Sequence, residues 1–388
     1  MTRTGLDILC EQKLALLKDR SFGLLVHPAS VNKDLKHILA LLIDSGHPPL
    51  RLFGPQHGIR GETQDNMIEW QGFQDPDTGI EICSLYGTHR KPVPEMLAGL
   101  DMLVVDLQDV GARYYTFIWT LLLCMQACAE NHIKVLVLDR PNPIGCNRKE
   151  GPLLDMAFAS FVGMAPIPVR HGMTIGELAR FFNTKQNIGC ELDVIPMNGY
   201  HRNMFFEDTG LPWVPPSPNM PTVDTAMVYP GFCLLEATNL SEGRGTTRPF
   251  EIFGAPFICP GKLTERLNRL NLPGVFFRPM HFKPCFQKWA GNLCGGAQIH
   301  VTDRHTFEPL FCAVSVLSMI HTLYPDDIEW NEPPYEYEED KMPVDILYGS
   351  PALRKGIDSG ACARDIAASW RAENDSFRTE SAESGLYE

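Results

Sequence analysis

The strongest constraint on the fold is a series of short runs of Val, Leu and Ile that alternate with helical segments. Such runs indicate strands buried on both faces, and their alternation with helices predicts a parallel sheet. We therefore expect an α/β chain whose first half is an open, doubly wound sheet domain. The predicted helices occupy 35–43, 116–129 and 175–182, and the predicted strands occupy 22–27, 50–53, 102–106, 135–139 and 192–196.

From about residue 254 the alternation of strands and helices stops, which predicts a smaller C-terminal α+β domain. The preceding segment is rich in Pro, Gly, Thr and Asn, and we expect it to form functional loops at the domain junction. The predicted elements of the second domain are helices 263–270 and 307–323 and strands 275–278 and 297–301.

The two predicted domains cover residues 1–235 and 236–388, with a candidate site loop at 236–251 where they meet. Within the second domain, residues 333–340 form an acidic loop that begins with two prolines. The polar tail that starts at Glu373 is expected to fray.

The charge of the chain limits the partners it can have. It contains 34 Lys and Arg against 47 Asp and Glu, which argues against nonspecific binding to nucleic acid or anionic membranes. No apolar stretch is long enough to cross a membrane, and Asp7 and Glu11 interrupt any signal-peptide core, so we expect a cytoplasmic protein. The 12 cysteines are irregularly spaced without a CxxC motif, which predicts reduced thiols and no structural zinc.

Polar segments that contain Pro and Gly follow four of the predicted strands, at the point where each strand ends. These segments start at His27, Gly54, Asp106 and Asp139. Ligands of open parallel sheets bind outside the carboxyl ends of the strands. The sequence therefore predicts a pocket at this edge of the sheet.

Several charged residues have both a functional and a structural interpretation. Asp106 and Asp109 follow a strand and suit acid–base chemistry or sugar binding, but Asp is also a common helix cap. Arg113 lies just before a predicted helix, where an anion is favoured. Arg170 and His171 precede a second helix, and His171 suits catalysis as well as a core position.

The segment 236–251 combines three carboxylates, two arginines and two glycines. Such a composition needs specific partners to stay ordered, so it favours a loop at a functional site over a plain surface turn. The prolines around Asn219 stiffen a second loop, which would hold a ligand group in place.

Several common cofactor and catalytic motifs are absent from the sequence. There is no GxGxxG after a strand, no Walker lysine loop, no HExxH and no GxSxG. The sequence therefore predicts neither a dinucleotide nor another cofactor, and it shows no evident metal-ligand motif.

Seven motifs in order resemble those of the NamZ-type exo-β-N-acetylmuramidases, and the resemblance extends from about Gly5 to Trp370. The motifs are 53–61 (FGPQHGIRG), 84–87 (SLYG), 106–116 (DLQDVGARYYT), 139–143 (DRPNP), 170–174 (RHGMT), 216–221 (PSPNMP) and 239–247 (NLSEGRGTT).

The resemblance implies a Rossmann-like catalytic domain without dinucleotide, joined to a smaller C-terminal domain, with the active site in the cleft between them. The implied reaction releases terminal N-acetylmuramic acid from β-1,4-linked peptidoglycan fragments. The implied partner is thus a small carbohydrate, an amino sugar or muropeptide. Many relatives carry an export signal that this sequence does not show, so we expect muropeptide recycling inside the cell or action on another glycoside.

Roles for individual residues follow from these motifs. Glu242 is the predicted proton donor, and Asp106 and Asp109 are expected to orient the acetamido group or a water. His171 is placed with them as a catalytic residue. The lactyl carboxylate of muramic acid is expected to bind four groups, namely Arg113, Arg170, His171 and Arg244. The predicted substrate-binding residues are Gln56, His57, Arg60, Arg113, Tyr114, Asn142, Arg170, Asn219, Glu236, Asn239 and Arg244.

One departure from the family pattern leaves the chemistry open, because Gln56 stands where the family commonly has Glu. An amide cannot donate or accept a proton near neutral pH, so either the activity differs or another carboxyl group acts. The candidates are Glu242, Glu236, Asp106 and Asp109. A non-catalytic protein that binds amino sugars is a second hypothesis. A hydrolase assisted by a metal at His57, Asp106 and Asp109 is a third.

Overall fold

A computed structural model describes residues 1–64 and 67–388 of the chain. The strands are β1 (Phe22–Val26), β2 (Arg51–Gly54), β3 (Phe73–Gln74), β4 (Glu81–Ser84), β5 (Met102–Asp106), β6 (Lys134–Leu138), β7 (Glu150–Leu153), β8 (Pro168–Arg170), β9 (Leu192–Ile195), β10 (Ile252–Ala255), β11 (Val275–Phe282) and β12 (Cys294–Val301).

The central sheet has seven strands in the order β3-β4-β2-β1-β5-β6-β9. All neighbours pair in parallel except β3, which is antiparallel to β4 at the edge. Without β3, the chain order across the sheet reverses between β1 and β5, as in doubly wound α/β folds. The predicted open parallel sheet is confirmed.

The five predicted strands are all present in this sheet, whereas β3 and β4 were not predicted. β4 reads Glu-Ile-Cys-Ser, and β3 has only two residues. Neither offers the run of branched apolar residues that marks β1 and β5. They are ordered by pairing with neighbouring strands, which propensity does not reveal.

Helices cover both faces of the sheet and build most of the C-terminal part. Within residues 1–64 and 67–388, no helix is both long and apolar enough to cross a bilayer. The α-helices are α1 (Gly5–Ile8), α2 (Ile38–Asp44), α3 (Pro94–Leu97), α4 (Phe117–Glu130), α5 (Ile175–Lys185), α6 (Val223–Phe232), α7 (Pro260–Arg269), α8 (Pro309–Leu323), α9 (Pro343–Tyr348), α10 (Ala352–Asp358), α11 (Ala363–Ala368) and α12 (Arg371–Ser381).

For two of the helices, the structure shows the features on which the prediction was based. Almost every residue of α4 is buried, in keeping with its apolar composition. The start of α5 carries the predicted capping box, in which Thr174 and Glu177 bond each other's backbone amides. Helix α5 therefore begins where the sequence indicates.

The smaller C-terminal domain contains a three-stranded antiparallel sheet in the order β10-β12-β11. Close backbone packing requires a glycine in β12, because a Cβ at Gly296 would lie 1.9 Å from the Phe253 carbonyl oxygen. The first sheet ends with β9 and the second begins with β10. The boundary at 235/236 falls between them and stays a prediction.

The C-terminal tail is ordered, so the expectation that it frays from Glu373 was wrong. Residues 371–381 form α12, whose Phe377 is fully buried. Beyond it, the Tyr387 hydroxyl donates to the Asp139 carboxylate at 2.5 Å and accepts from the Met197 amide at 2.8 Å. One buried phenylalanine in α12 and one anchored tyrosine beyond it dock this polar segment.

Arg113 ties the two halves of the molecule together. Its side chain is fully buried, and its two terminal nitrogens donate to four backbone carbonyls at 2.8–3.0 Å. Two carbonyls belong to Pro152 and Ile167 and the other two to Leu347 and Tyr348 of α9. The guanidinium therefore satisfies acceptors that no water reaches.

We expect Arg113→Met to lower the free energy of unfolding by about 3 kcal/mol or more, because four buried carbonyls lose their donors. Thermal unfolding followed by calorimetry would measure the change. Arg266→Met, at an exposed position of α7, is the matched control and should change the melting temperature little. Equal melting temperatures for both variants would contradict this role of Arg113.

Candidate active site

The carboxyl ends of the strands and the loops of the C-terminal half enclose a small cavity, here called the inner cavity. Its volume is about 30 Å³, close to the space that one water occupies. Both predicted domains contribute to its walls. The polar residues that line it are Gln56, His57, Tyr114, Tyr115, Thr116, Ser217, Asn219, Tyr229, Glu236, Arg244, Tyr335 and Glu336.

A tight turn after β2 brings His57 to the inner cavity. His57 has φ 71° and Gly58 has φ 82°, and a non-glycine residue in this left-handed region is uncommon. The imidazole Nδ1 lies 2.8 Å from the Thr63 carbonyl oxygen, which can only accept, so Nδ1 carries the proton. Nε2 is then the basic nitrogen of the ring.

Gln56 links three elements around the cavity. Its amide nitrogen donates to the Tyr86 hydroxyl at 3.1 Å, and its amide oxygen accepts from the Thr116 hydroxyl at 2.6 Å. The Tyr86 hydroxyl in turn donates to Glu336 at 3.5 Å. Gln56 therefore orients the hydroxyl proton of Tyr86 toward a carboxyl group.

Glu236 is a buried carboxylate at the wall of the inner cavity. One of its oxygens accepts from Arg244 at 2.8 Å, and the other accepts from the Tyr335 hydroxyl at 2.8 Å. The guanidinium of Arg244 also lies 5.1 Å from the centre of the Phe250 ring. These contacts fix the carboxylate of Glu236 in one orientation.

Glu336 is a second buried carboxyl group at the same cavity, on the acidic loop 333–340. Burial and the nearby carboxylate of Glu236 raise the pKa of Glu336 to about 7, although Arg90, Arg244 and Tyr86 oppose the shift. Its backbone lies in the left-handed region at φ 46°, and strain of this kind concentrates at functional sites. Glu336 can thus carry a proton near neutral pH.

The sequence interpretation missed Glu336 and its neighbours Tyr86 and Tyr335. The acidic loop was recognised, but nothing in its composition distinguishes the buried Glu336 from the other acids around it. Tyr86 belongs to the motif 84–87, so its position in the resemblance was an available signal.

A larger cavity adjoins the inner one, and we call it the outer cavity. It has a volume of about 540 Å³, and Glu236 and Tyr335 line both cavities. Glu242, the predicted proton donor, lines the outer cavity, 2.9 Å from the Lys288 ammonium and 3.4 Å from Arg244. Its carboxylate is thus paired with two cations, which suits a structural ion pair better than proton donation.

Asp106 does not line either cavity. Its carboxylate is fully buried and accepts from Arg140 through both oxygens, at 2.5 and 2.8 Å. This bidentate pair joins the ends of β5 and β6, where Arg140 also donates to the Val31 carbonyl. The geometry favours a structural role over the predicted orientation of a substrate.

Asp109 and His171 do meet, as a buried pair outside the two cavities. The Asp109 carboxylate lies 3.2 Å from His171 Nε2 and accepts from the Gly111 amide at 2.7 Å. The other ring nitrogen of His171 accepts from the Met173 amide at 3.3 Å. Both nitrogens of His171 therefore face protein groups in this structure.

Three of the predicted arginines lie apart from the inner cavity. Arg60 is exposed, where it pairs with Asp75 at 3.0 Å. Arg113 donates to the four backbone carbonyls described above. Arg170 is buried beside β7 and donates to the Ile144 carbonyl, and burial lowers its pKa to about 10. Of the four groups expected to bind the lactyl carboxylate, only Arg244 lines the inner cavity.

The predicted amide residues divide in the same way. Asn142 donates to the Met173 carbonyl at 2.9 Å, and Asn239 donates to the Asp327 carbonyl at 2.8 Å, so both brace loops. Asn219 lines the inner cavity and donates to the Gln64 carbonyl at 2.7 Å.

Tyr114 also lines the inner cavity, but its hydroxyl donates to the Pro230 carbonyl, inside the kinked end of α6. Desolvation raises the pKa of this phenol, so it stays neutral. Its position suits packing against a sugar ring better than proton transfer.

No metal cluster is evident within residues 1–64 and 67–388, since no three His, Cys, Asp or Glu side chains are grouped as ligands. The inner cavity instead combines two carboxyl groups, a buried guanidinium, an imidazole and several hydroxyls. This set can bind a polar, acidic ligand and transfer a proton to it.

Known proteins share this fold and part of the sequence. Two DUF1343 family proteins from Bacteroides fragilis have crystal structures that superpose with TM-scores of 0.90 and 0.78, at 36% and 30% identity. Both alignments cover 100% of this chain and 99% of the other.

A relative from Bacillus subtilis (strain 168), named peptidoglycan beta-N-acetylmuramidase NamZ, is 47% identical over 95% of this chain and 87% of its own length. Residues 22–224 match the N-terminal domain of the family described as exo-beta-N-acetylmuramidase NamZ, and residues 227–387 match its C-terminal domain. The chain therefore belongs to the NamZ exo-β-N-acetylmuramidase family.

Proposed function

We propose that this protein is a glycoside hydrolase that releases terminal N-acetylmuramic acid from β-1,4-linked peptidoglycan fragments. Family membership and the name of the Bacillus subtilis relative support the reaction. The observation that carries the proposal is the pair of buried carboxyl groups, Glu236 and Glu336, at the inner cavity. Glycosidases typically use two carboxyl groups beside the scissile bond.

Glu336 is the general acid in this proposal. A general acid works best when its pKa is close to the working pH, and burial raises the pKa of Glu336 to about 7. The Tyr86 hydroxyl contacts the carboxyl and orients it. Glu336 therefore takes the role that the family motif would assign to a Glu at position 56.

Glu236 and Arg244 supply the charges that bind and orient the substrate. The carboxylate of Glu236 is held on both oxygens, so it can orient the acetamido group or a water beside the anomeric carbon. Arg244 is the buried cation of the cavity, and guanidinium groups bind carboxylates well, so it is the proposed ligand of the lactyl group.

The cavities support action at the end of a sugar chain. The inner cavity has a volume of only about 30 Å³, so residues of its wall must shift when the terminal sugar enters. The outer cavity adjoins it across Glu236 and Tyr335 and has room for the rest of the fragment. An inner cavity that takes a single sugar residue would suit an exo-acting enzyme.

The hypothesis of a non-catalytic sugar-binding protein rested on the absence of Glu at position 56. A protonatable carboxyl at Glu336 removes the chemical need for that residue. The cytoplasmic location and the role in cell-wall recycling stay predictions.

We expect the purified protein to release the chromophore from an aryl β-N-acetylmuramide. The matching β-N-acetylglucosaminide lacks the lactyl carboxylate, so Arg244 and its partners are left without an anion to bind. It should react at least about 100-fold more slowly than the muramide. Chelator should not change the rate. No release from the muramide at any pH would overturn the proposed function.

We expect Glu336→Gln to lower kcat/KM by about 10²- to 10⁴-fold, because the amide cannot donate a proton. In the unmodified enzyme, Glu336 must be protonated, so activity should fall as pH rises through about 7. The residual activity of the variant should lack this alkaline limb. A pH–rate profile on the muramide measures both effects.

Glu338→Gln is the control, since Glu338 lies on the same loop but pairs with Lys341 at 2.9 Å and does not line the inner cavity. Its profile should match that of the unmodified enzyme. A Glu336→Gln variant with normal activity, or one that keeps the alkaline limb, would contradict the assignment of Glu336 as the acid.

We expect Gln56→Glu to move the alkaline limb to higher pH rather than to restore a missing activity. A carboxylate at position 56 would accept the hydroxyl proton of Tyr86 that now points to Glu336, and its charge would further favour protonated Glu336. Gln298→Glu adds the same charge in β12, outside both cavities, and should leave the profile unchanged. A limb that moves to lower pH would contradict the proposed network.

A further inference from the structure

A third cavity lies between β7, the start of α8 and the helices α11 and α12. Its volume is about 390 Å³, and it shares no lining residue with the inner or outer cavity. We call it the distal cavity. A ligand bound there would not be cleaved by the residues proposed above.

Two buried acceptors without partners lie at the distal cavity. One oxygen of Glu150 accepts from the Phe311 amide at 2.7 Å, while the other has no partner among the described residues. The side-chain oxygen of Asn374 has none either, and both residues are only 6% exposed. Buried acceptors are almost always hydrogen-bonded, so both oxygens call for a donor from a ligand.

No neighbouring side chain supplies that donor. Lys149 packs over the Phe377 ring at 5.8 Å, and Arg170, which lies opposite Glu150 in the β7–β8 pairing, donates to the Ile144 carbonyl. Burial raises the pKa of Glu150 to about 7, and Arg170 opposes the shift. The charge of Arg170 therefore does not fully offset the cost of burying the Glu150 carboxylate. A ligand cation would stabilise its charged form.

Three arginines line the distal cavity at its exposed edge: Arg364, Arg371 and Arg378. Arg378 pairs with Asp375 at 3.1 Å, but Arg364 and Arg371 form no ion pair with any described residue. Guanidinium groups bind carboxylates through paired hydrogen bonds. The edge of the cavity therefore suits an anion, in contrast to the acceptors of its floor.

We propose that the distal cavity binds a zwitterion, namely a free amino acid or a short peptide with both termini unblocked. Its ammonium donates to Glu150 and Asn374, and its carboxylate pairs with Arg364 or Arg371. The ring of Trp370 borders the same cavity and offers a surface for an apolar side chain. The site is a binding site for a ligand that is not the glycoside substrate.

Calorimetric titration of the full chain with the dipeptide alanyl-alanine tests this proposal. We expect saturable binding of the dipeptide. N-acetyl-alanyl-alanine lacks the ammonium and alanyl-alanine amide lacks the carboxylate, so each should bind at least about tenfold more weakly. Equal binding of the three peptides, or no binding of the dipeptide up to about 10 mM, would overturn the proposal.

Two variants test whether the dipeptide binds in this cavity. Glu150→Gln and, separately, Asn374→Leu should each weaken dipeptide binding about tenfold or more, with hydrolysis of the aryl muramide unchanged. Glu380→Gln, at an exposed position on the same helix as Asn374, is the control and should bind normally. Normal binding by both cavity variants, with folding verified by thermal unfolding, would refute the site. Loss of hydrolysis alone would instead bear on the proposed function.

Discussion

The burial of the central sheet on both faces is the constraint on which the rest of the structure depends. Strands such as β1 and β5 are buried at every residue, so polar groups cannot lie along them. These groups collect where the strands end, in loops that proline and glycine hold in place. The inner cavity forms at that edge because the loops of the C-terminal half close over it.

Charge balance then separates catalytic from structural groups. Asp106 faces Arg140 and Glu242 faces Lys288, so each carboxylate is compensated by a cation. Glu336 instead faces the carboxylate of Glu236 in a buried site, which raises its pKa to about 7. The same residue type thus serves as a brace in one place and, in the function that we propose, as a proton donor in the other, according to its neighbours.

The motifs predicted the position of the site better than the roles within it. Gln56, Asn219, Glu236 and Arg244 do meet at the inner cavity, since they come from loops at one sheet edge and from the junction loop. Arg113 looked like an anion ligand, but it donates to four backbone carbonyls. Spacing in sequence cannot reveal which acceptor a long side chain will find.

By itself, the sequence determined the five parallel strands β1, β2, β5, β6 and β9, several of the helices and the family, because hydrophobic periodicity and long motifs are properties of the chain alone. Only the tertiary structure decided that Glu336 reaches the inner cavity, that Glu242 pairs with Lys288, and that the tail docks through Phe377. Those outcomes depend on burial and on the distance between charges, and both arise from contacts between segments far apart in the chain.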